Sequence, residues 1–302
     1  MKQLQVAFQG EPGAYSELAA FEHFHQEIIT LPCKTFEEVF TRTSDEKQLN
    51  IVGLLPIENS LAGSIHRNYD LMLRHDLNII GEYHLRVSHC LLALPGVELA
   101  DIVRVHSHPQ ALAQCEANLE RMGVQVVAEA DTAGSARLLR KRDDRQAAAL
   151  ASRRAAEVYR LEILSDQMED NPANYTRFLV LAKTPYQAED PEQDHYKTSI
   201  VFSLHNQPGV LFKALSVFAL RDIDLTKIES RPIPGQLWEY MFYVDFIGHA
   251  QALDPSRAIM NLGEFAPFLR TLGSYPRHNL KEVFQLSKRN SVPPSKFPFI
   301  SL

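Results

Sequence analysis

Asn174-Tyr175-Thr176-Arg177-Phe178 opens an apolar run, Leu179-Val180-Leu181-Ala182, that stops at an acidic, proline-containing stretch over 184–195. Before this point strand-like and helix-like segments alternate. Strands are expected over 6–9, 51–56, 86–94, 102–105, 124–128, 147–150 and 178–182, and helices over 16–25, 65–74, 110–122 and 132–142. Alternation of this kind implies βα units and a largely parallel sheet. Ser16 reads as an N-cap, Pro109 as a first-turn proline, and Asp131 as a helix start. Beyond 184–195, whose composition is that of a linker, the order changes. A strand over 197–204, a helix over 210–221, strands over 225–232 and 238–247, a helix over 256–268 and a strand over 269–275 follow. That βαββαβ order is a ferredoxin-like module. Residues 277–302 read as a loose polar tail.

The bulk numbers narrow the function classes. A chain of 302 residues, 45% hydrophobic, is expected to make two or three globular domains. Its net charge of −6 and interleaved basic clusters give no case for nucleic acid or an anionic membrane. No apolar run is long enough to span a bilayer, and the first strand begins too early to leave room for a signal peptide. The expected location is cytoplasmic, with a removed organellar transit peptide as the alternative. Cys33, Cys90 and Cys115 lack CxxC spacing and read as reduced buried thiols rather than as disulfides or a zinc site. Neither GxGxxG nor GxxxxGK[ST] occurs, and no closely spaced ligand set for a metal is present.

Four short segments carry candidate chemistry. Pro12-Gly13-Ala14-Tyr15-Ser16 lies between a strand and a helix, where open α/β sheets bind ligands; an ordinary turn with a serine cap is the competing reading. Glu58-Asn59-Ser60, with Ser64 shortly after, follows a buried strand; these side chains either meet a substrate or cap the next helix. In Ser107-His108-Pro109-Gln110 the histidine is a general acid, a carboxylate partner, or a helix cap without further duty. In 174–178 the hydroxyl of Thr176 both donates and accepts, and the Arg177 fork fits a carboxylate. On a regular strand Thr176 and Phe178 share a face while Arg177 points away. Chemistry is therefore assigned to Thr176, and Arg177 reads either as a substrate clamp or as the structural partner of a local acid.

Together these segments resemble the signature of prephenate dehydratases, over about residues 6–276. The resemblance implies conversion of prephenate to phenylpyruvate with loss of water and carbon dioxide, and Thr176 as the residue tied to catalysis. It implies Pro12, Gly13, Tyr15, Ser16, Glu58, Asn59, Ser60, Ser64, Ser107, His108, Gln110, Arg177 and Phe178 around the substrate, and no metal or organic cofactor. One positioned proton donor and firm holding of two carboxylates suffice, because the developing aromatic ring drives decarboxylation. The implied catalytic region, 1–185, is a bilobed, periplasmic-binding-protein-like α/β fold, with lobes at about 1–80 plus 170–185 and at 81–169.

The module over 196–276 looks like an ACT regulatory domain that senses L-phenylalanine. Its two motifs are Asn206-Gln207-Pro208-Gly209-Val210-Leu211 and Glu229-Ser230-Arg231-Pro232, with Val210 where the family usually carries alanine. The resemblance puts Asn206, Pro208, Gly209, Val210, Leu211, Glu229, Ser230, Arg231 and Pro232 around the effector. The helix-start N–H groups would meet its carboxylate, and backbone carbonyls or Glu229 its ammonium. Paired ACT domains imply a homodimer or homotetramer. The segments Gly63–Asp70 and Glu239–Tyr243 resemble the plant-type branch, which makes arogenate the alternative substrate. A non-catalytic amino-acid receptor and an ACT-type transcription regulator are the readings from other classes; the Thr176 motif and the lack of a basic recognition helix argue against them. No second enzyme domain is expected.

Overall fold

The computed structural model describes residues 3–25, 27–47, 50–233, 235 and 239–278. The chain opens with β1 (Gln5–Gln9), α1 (Tyr15–Phe24), β2 (Ile29–Cys33), α2 (Phe36–Thr43), β3 (Ile51–Asn59), the short β4 (Gly63–Ser64), α3 (His66–Arg74) and β5 (Asn78–Arg86). It crosses to β6 (Cys90–Ala93), β7 (Arg104–Ser107), α4 (Pro109–Gln114), α5 (Glu116–Met122), β8 (Gln125–Ala128), α6 (Thr132–Arg142), β9 (Ala147–Ala151), α7 (Arg153–Tyr159) and β10 (Glu162–Ser165), then returns in β11 (Tyr175–Ala182). The last unit is β12 (Tyr196–Leu204), α8 (Val210–Ala219), β13 (Leu225–Pro232), β14 (Tyr240–Ile247), α9 (Leu253–Gly263) and β15 (Phe268–Pro276).

Three sheets result. The first has the order β2-β1-β3-β11-β5 with β4 on β3, the second β10-β6-β9-β7-β8, and the third β13-β14-β12-β15. The third is antiparallel and follows from the βαββαβ order expected of a ferredoxin-like module. Each α/β lobe is parallel only in part. β1 runs parallel to β2 and β3, but the returning β11 is antiparallel to both its neighbours. Likewise β6 is antiparallel to β9 and β10. Two crossings join the lobes, so the fold is bilobed and the cleft lies where the chain crosses.

The differences from expectation have local causes. The strand read over 86–94 is two strands in two sheets, because the chain leaves the first lobe between Arg86 and Cys90. The lobe boundary set at 80/81 falls inside β5, which belongs whole to the first sheet. Helix 110–122 breaks at Cys115, whose φ of −119° and ψ of 15° are not helical. Ala14, not Ser16, caps α1, and no side chain bonds there; Ser16 lies one residue inside the helix. Asp131 caps α6 as expected, accepting from Gly134 N. Strand β2, helix α2 and helix α7 had no clear sequence signal, being short and mixed in composition. Trp238 and residues 279–302, with nearly all of the expected tail, lie outside the described residues.

The third sheet lies against the first lobe. Val201, Tyr243, Leu272 and Tyr275 share one buried cluster with Ile57, Tyr69, Ile79 and Leu179. At Gly273 a Cβ would stand 2.1 Å from the Ile79 carbonyl oxygen, so only glycine permits this approach of β15 to β5.

Candidate active site

The register of β11 on β3 sets Thr176 directly opposite Asn59 and Arg177 opposite Glu58. Side-chain alternation then sorts these pairs to two sides of the sheet. Thr176 and Phe178 face a cavity of about 350 Å³ between the lobes, while Arg177 faces the third sheet. The cavity is also lined by Gln9, Tyr15, Ser16, Asn59, Ser64, His89, His108, Gln110, Gln114, Thr132 and Asn174. The N-terminal ends of α1, α4 and α6 open on it through Tyr15, Ser16, Gln110 and Thr132, and that of α3 through its cap Ile65, which turns the positive ends of four helix dipoles toward the cavity. Among the described residues no Asp, Glu, Lys or Arg lines it.

A chain of amide contacts runs along the floor. Asn59 Oδ1 accepts from the backbone N–H of Leu61 at 3.0 Å and of Ala62 at 2.9 Å. That fixes the orientation of its amide. Asn59 Nδ2 therefore donates to Thr176 Oγ1 at 3.0 Å and to Asn174 Oδ1 at 2.8 Å. Asn174 Nδ2 donates to Gln114 Oε1 at 3.0 Å. His89 Nε2 lies 2.8 Å from that same oxygen, and its Nδ1 lies 2.7 Å from the Tyr15 hydroxyl. With Thr176 Oγ1 already accepting from Asn59, its own hydrogen remains to donate into the cavity.

Both crossings are braced. Val87 N donates to Asn174 O at 2.8 Å, and Met168 N to His89 O at 2.9 Å. Buried Glu169 accepts from His89 N at 2.9 Å and pairs with Arg86 at 3.2 Å. Burial lowers the His89 pKa, although Gln114 and Glu169 oppose it, and burial raises the Tyr15 hydroxyl well above its ordinary value. Both groups are thus neutral near pH 7.

Of the expected substrate residues, Tyr15, Ser16, Asn59, Ser64, His108, Gln110 and Phe178 line the cavity with Thr176. His108 also caps α4, its Nδ1 accepting from Gln110 N at 3.2 Å. Pro12, Gly13, Glu58, Ser60, Ser107 and Arg177 are elsewhere. Tyr159 donates to the Pro12 carbonyl at 2.7 Å, and Ser152 to the Gly13 carbonyl at 2.5 Å, so this loop is bound to the second lobe. A Cβ on Gly13 would stand 2.8 Å from Ala155 Cα, so the glycine serves lobe contact. Ser60 Oγ donates to the Ala173 carbonyl at 2.8 Å, and fully buried Ser107 to Leu150 O at 2.7 Å.

Arg177 is 5% exposed and resolves as the structural partner of acids. It reaches Glu82 at 2.8 Å, Asp245 at 2.6 Å, Glu58 at 3.4 Å and the Tyr275 hydroxyl at 3.1 Å. Lys197 also binds Glu82, at 2.7 Å, and Lys227 binds Glu58. Arg177, Lys197 and Lys227 thus balance Glu58, Glu82 and Asp245 at the seam between the α/β unit and the last domain. Burial opposes the charge on Arg177, but Asp245 leads the groups that hold its pKa well above the ordinary value.

In the last domain Gly209 caps α8 at φ 76°, a left-handed conformation suited to glycine. The register places Glu229 opposite Tyr243 and Arg231 opposite Met241 on the seam side, and Ser230 opposite Phe242 on the helix side. The expected effector role of Glu229 and Arg231 does not fit that placement. Glu229 accepts from Ser64 Oγ at 2.7 Å and lies 3.0 Å from His66, and Arg231 pairs with Asp70 at 2.9 Å. Asn206, Pro208, Gly209, Leu211, Ser230 and Pro232 are exposed, and Val210 is half-buried.

The family model for prephenate dehydratase matches residues 6–186, and the model for the ACT domain matches 198–264. The chain belongs to the prephenate dehydratase family. It is 49% identical over 290 residues to an Arabidopsis thaliana protein named arogenate dehydratase/prephenate dehydratase 6, chloroplastic, covering 90% of this chain and 69% of that one. A solved prephenate dehydratase from Arthrobacter aurescens in complex with L-Phe superposes at TM-score 0.82 with 31% identity, covering 91% of this chain and 90% of that one. A structure described as a quorum-quenching acylase, GqqA, superposes at TM-score 0.85 with 38% identity, over 92% of this chain and 99% of that one.

The expected site residues leave out His89 and Gln114, and also Asn174, which opens the 174–178 motif but is given no role there. Gln114 follows Gln110 by one helical turn, a spacing that marks it for the same face. His89 carries no such mark, because its place depends on where the chain crosses between lobes.

Proposed function

We propose that this dehydratase converts prephenate to phenylpyruvate, and that the carrying observation is the locked Asn59–Thr176 pair facing a cavity of neutral donors. Thr176 gives its proton to the departing ring hydroxyl, which leaves as water. The electron pair of the bond to the ring carboxylate moves into the ring, carbon dioxide departs, and the ring becomes aromatic. Thr176 regains a proton from water. Donation from Asn59 stabilises the threonine oxygen as negative charge develops on it. The substrate carboxylates are held by helix first turns and by Gln110 and Gln114, whose neutrality avoids an over-strong hold on the ground state.

Arogenate, with an amine in place of the keto group, is the second reading, favoured by the relative's name. Against it stands the engagement of four side-chain oxygens along the cleft floor around Thr176, which leaves an ammonium only wall oxygens such as those of Gln9 and Gln110. Asn59 Oδ1, Asn174 Oδ1, Gln114 Oε1 and Thr176 Oγ1 already accept within the protein. An ammonium requires acceptors; a keto oxygen requires donors. Steady-state kcat/KM on both compounds is therefore expected to favour prephenate. Higher kcat/KM on arogenate would reverse the assignment, and turnover of neither would end the dehydratase reading.

L-Phenylalanine is the proposed effector, bound where Gly209, Val210 and Leu211 start α8 beside the outer face of Ser230, in a homodimer or homotetramer. The L-Phe complex of the Arthrobacter protein supports this reading. Gly209→Asp places a carboxylate at the site of the effector's own. Because Asp tolerates left-handed backbone better than most residues, and no atom lies within 4 Å of a Cβ built there, the fold survives. Inhibition by phenylalanine should disappear while uninhibited activity stays near wild type. Calorimetric binding beside a kinetic titration checks it, and unchanged inhibition would remove this site.

A further inference from the structure

We infer that His89 is a positioning residue for the dehydratase reaction: its Nε2–H fixes the Gln114 side chain so that the Gln114 amide NH2 points into the cleft as a donor to a substrate carboxylate. This rests on the reading of the cleft given above.

Two backbone N–H groups, those of Leu61 and Ala62, occupy Asn59 Oδ1 and leave its NH2 facing Asn174. An NH2 requires an acceptor opposite, so Asn174 presents Oδ1 to Asn59 and its own NH2 to Gln114. Gln114 must then present Oε1 to Asn174. The same oxygen lies 2.8 Å from His89 Nε2, so that nitrogen carries the proton. Nδ1 is left bare, and the Tyr15 hydroxyl, 2.7 Å away, shares its single hydrogen between that nitrogen and the Ser88 carbonyl at 3.0 Å. Every link from Asn59 to His89 Nε2 has one polarity, and it is imposed from Asn59 outward. Burial of His89 at 2% exposure favours the same neutral ring.

The consequence falls on the unused end of Gln114. Among the described residues Gln114 Nε2 has no protein partner, and Gln114 lines the cavity. Without His89, Asn174 alone would hold Gln114, and the amide would rotate about its last bond more freely. Tyr15, held at its hydroxyl by His89, comes from the first lobe and Gln114 from the second. The histidine therefore also fixes the separation of the two walls.

His89→Phe keeps a ring but removes both nitrogens. His89→Gln returns an amide N–H near the place of Nε2. We expect His89→Phe to lower kcat/KM by about tenfold to a hundredfold, the scale of one hydrogen bond to a charged group. Most of the loss should appear in KM, because a carboxylate held alike in ground and transition states affects binding more than turnover. His89→Gln should recover most of it. Equal losses in the two variants, or a His89→Phe enzyme within twofold of wild type, would overturn the inference. A second readout is independent of turnover. A long-range 1H–15N spectrum of the wild type should show His89 protonated at Nε2 and bare at Nδ1. The opposite tautomer would overturn the inference whatever the kinetics. If the wild type turns over neither substrate while the tautomer is as expected, it is the dehydratase reading that fails.

Discussion

The cleft and the seam lie on opposite sides of β11 and are built from opposite materials. The cleft shows amides, hydroxyls and two imidazoles, with no Asp, Glu, Lys or Arg among its described lining residues. The seam gathers three cations and three carboxylates within hydrogen-bonding reach of one another. Thr176 and Arg177 are consecutive, yet one belongs to each. A cleft must admit and release a charged molecule, so neutral donors held at the right angle serve it better than permanent charges. A seam that stays closed has no such demand, and buried charges persist there because each has partners. Strand alternation is what lets one segment serve both.

The largest effect is expected at the cleft. Thr176→Ala should reduce kcat by roughly two to four orders of magnitude, the range for a positioned proton donor. KM and Tm should stay close to wild type, since a half-buried hydroxyl is removed without disturbing the seam. Steady-state kinetics with a melting curve checks both halves. More than half of wild-type turnover in the variant would take Thr176 out of the mechanism and leave the cleft a binding site only.

The neighbouring residue should show the reverse pattern. Arg177→Met leaves Glu82 and Asp245 buried without their main cation, and should cost about 3–5 kcal/mol of stability. Residual activity at low temperature should exceed that of Thr176→Ala. Urea denaturation read against activity separates the two. A stable but inactive Arg177→Met protein would mean that Arg177 reaches substrate after all, and the division of β11 would collapse.

Much of this was legible beforehand, for physical reasons that can be named. The period-two rule alone separated Thr176 from Arg177, and the helix-period pattern over 132–142 with its Asp131 cap matched α6. The ferredoxin-like order was readable because the strands and helices of the last domain are long and apolar on one face. For Arg177 the sequence offers an acid partner and a substrate clamp without choosing, and Glu58 reads only as a substrate or cap residue, since the partners Glu82, Lys197, Lys227 and Asp245 come from distant segments. Gly13 looked like a ligand-approach glycine; its close contact is Ala155 on the other lobe. Glu229 and Arg231 were taken with Ser230 as one motif, although adjacent strand residues must face opposite ways. His89 was invisible because no local pattern announces a crossing between sheets.

A smaller effect tests how closely the seam is packed. Gly273→Ala would put a Cβ against the Ile79 carbonyl, so β15 must move away from β5. The cost should be about 1–3 kcal/mol, as for overpacking elsewhere. Cleft kinetics should change little. Differential scanning calorimetry suffices, and an unchanged Tm would show that the two sheets separate readily.

The smallest effect is on pH dependence, and its sign follows from which groups titrate low. In the seam, His84 is lowered to about 4, chiefly by burial, with Arg177 and Lys197 adding and Glu82 opposing. In the cleft, burial also lowers His89. An unfolded histidine takes its proton near pH 6.5. Between that pH and the folded values the unfolded chain binds more protons, so stability must fall as the solution is acidified from about 6.5 toward 4. Glu82 differs. Burial would raise it, but Arg177 and Lys197 outweigh burial and lower it. Its contribution is therefore intact above the ordinary glutamate value of about 4.3 and disappears only as the pH falls through its lower folded value. Acid should then weaken the protein in two stages, the histidines first and the seam carboxylate second. Melting temperatures from pH 7 to 3 read both stages. His84→Gln should make the first shallower, leaving the share of His89 and of His23, which burial also lowers to about 4, and should leave the second. A single fall confined to below pH 4.5, unchanged by that substitution, would mean that the seam's histidine already matches its unfolded titration and that only its carboxylates carry the acid response.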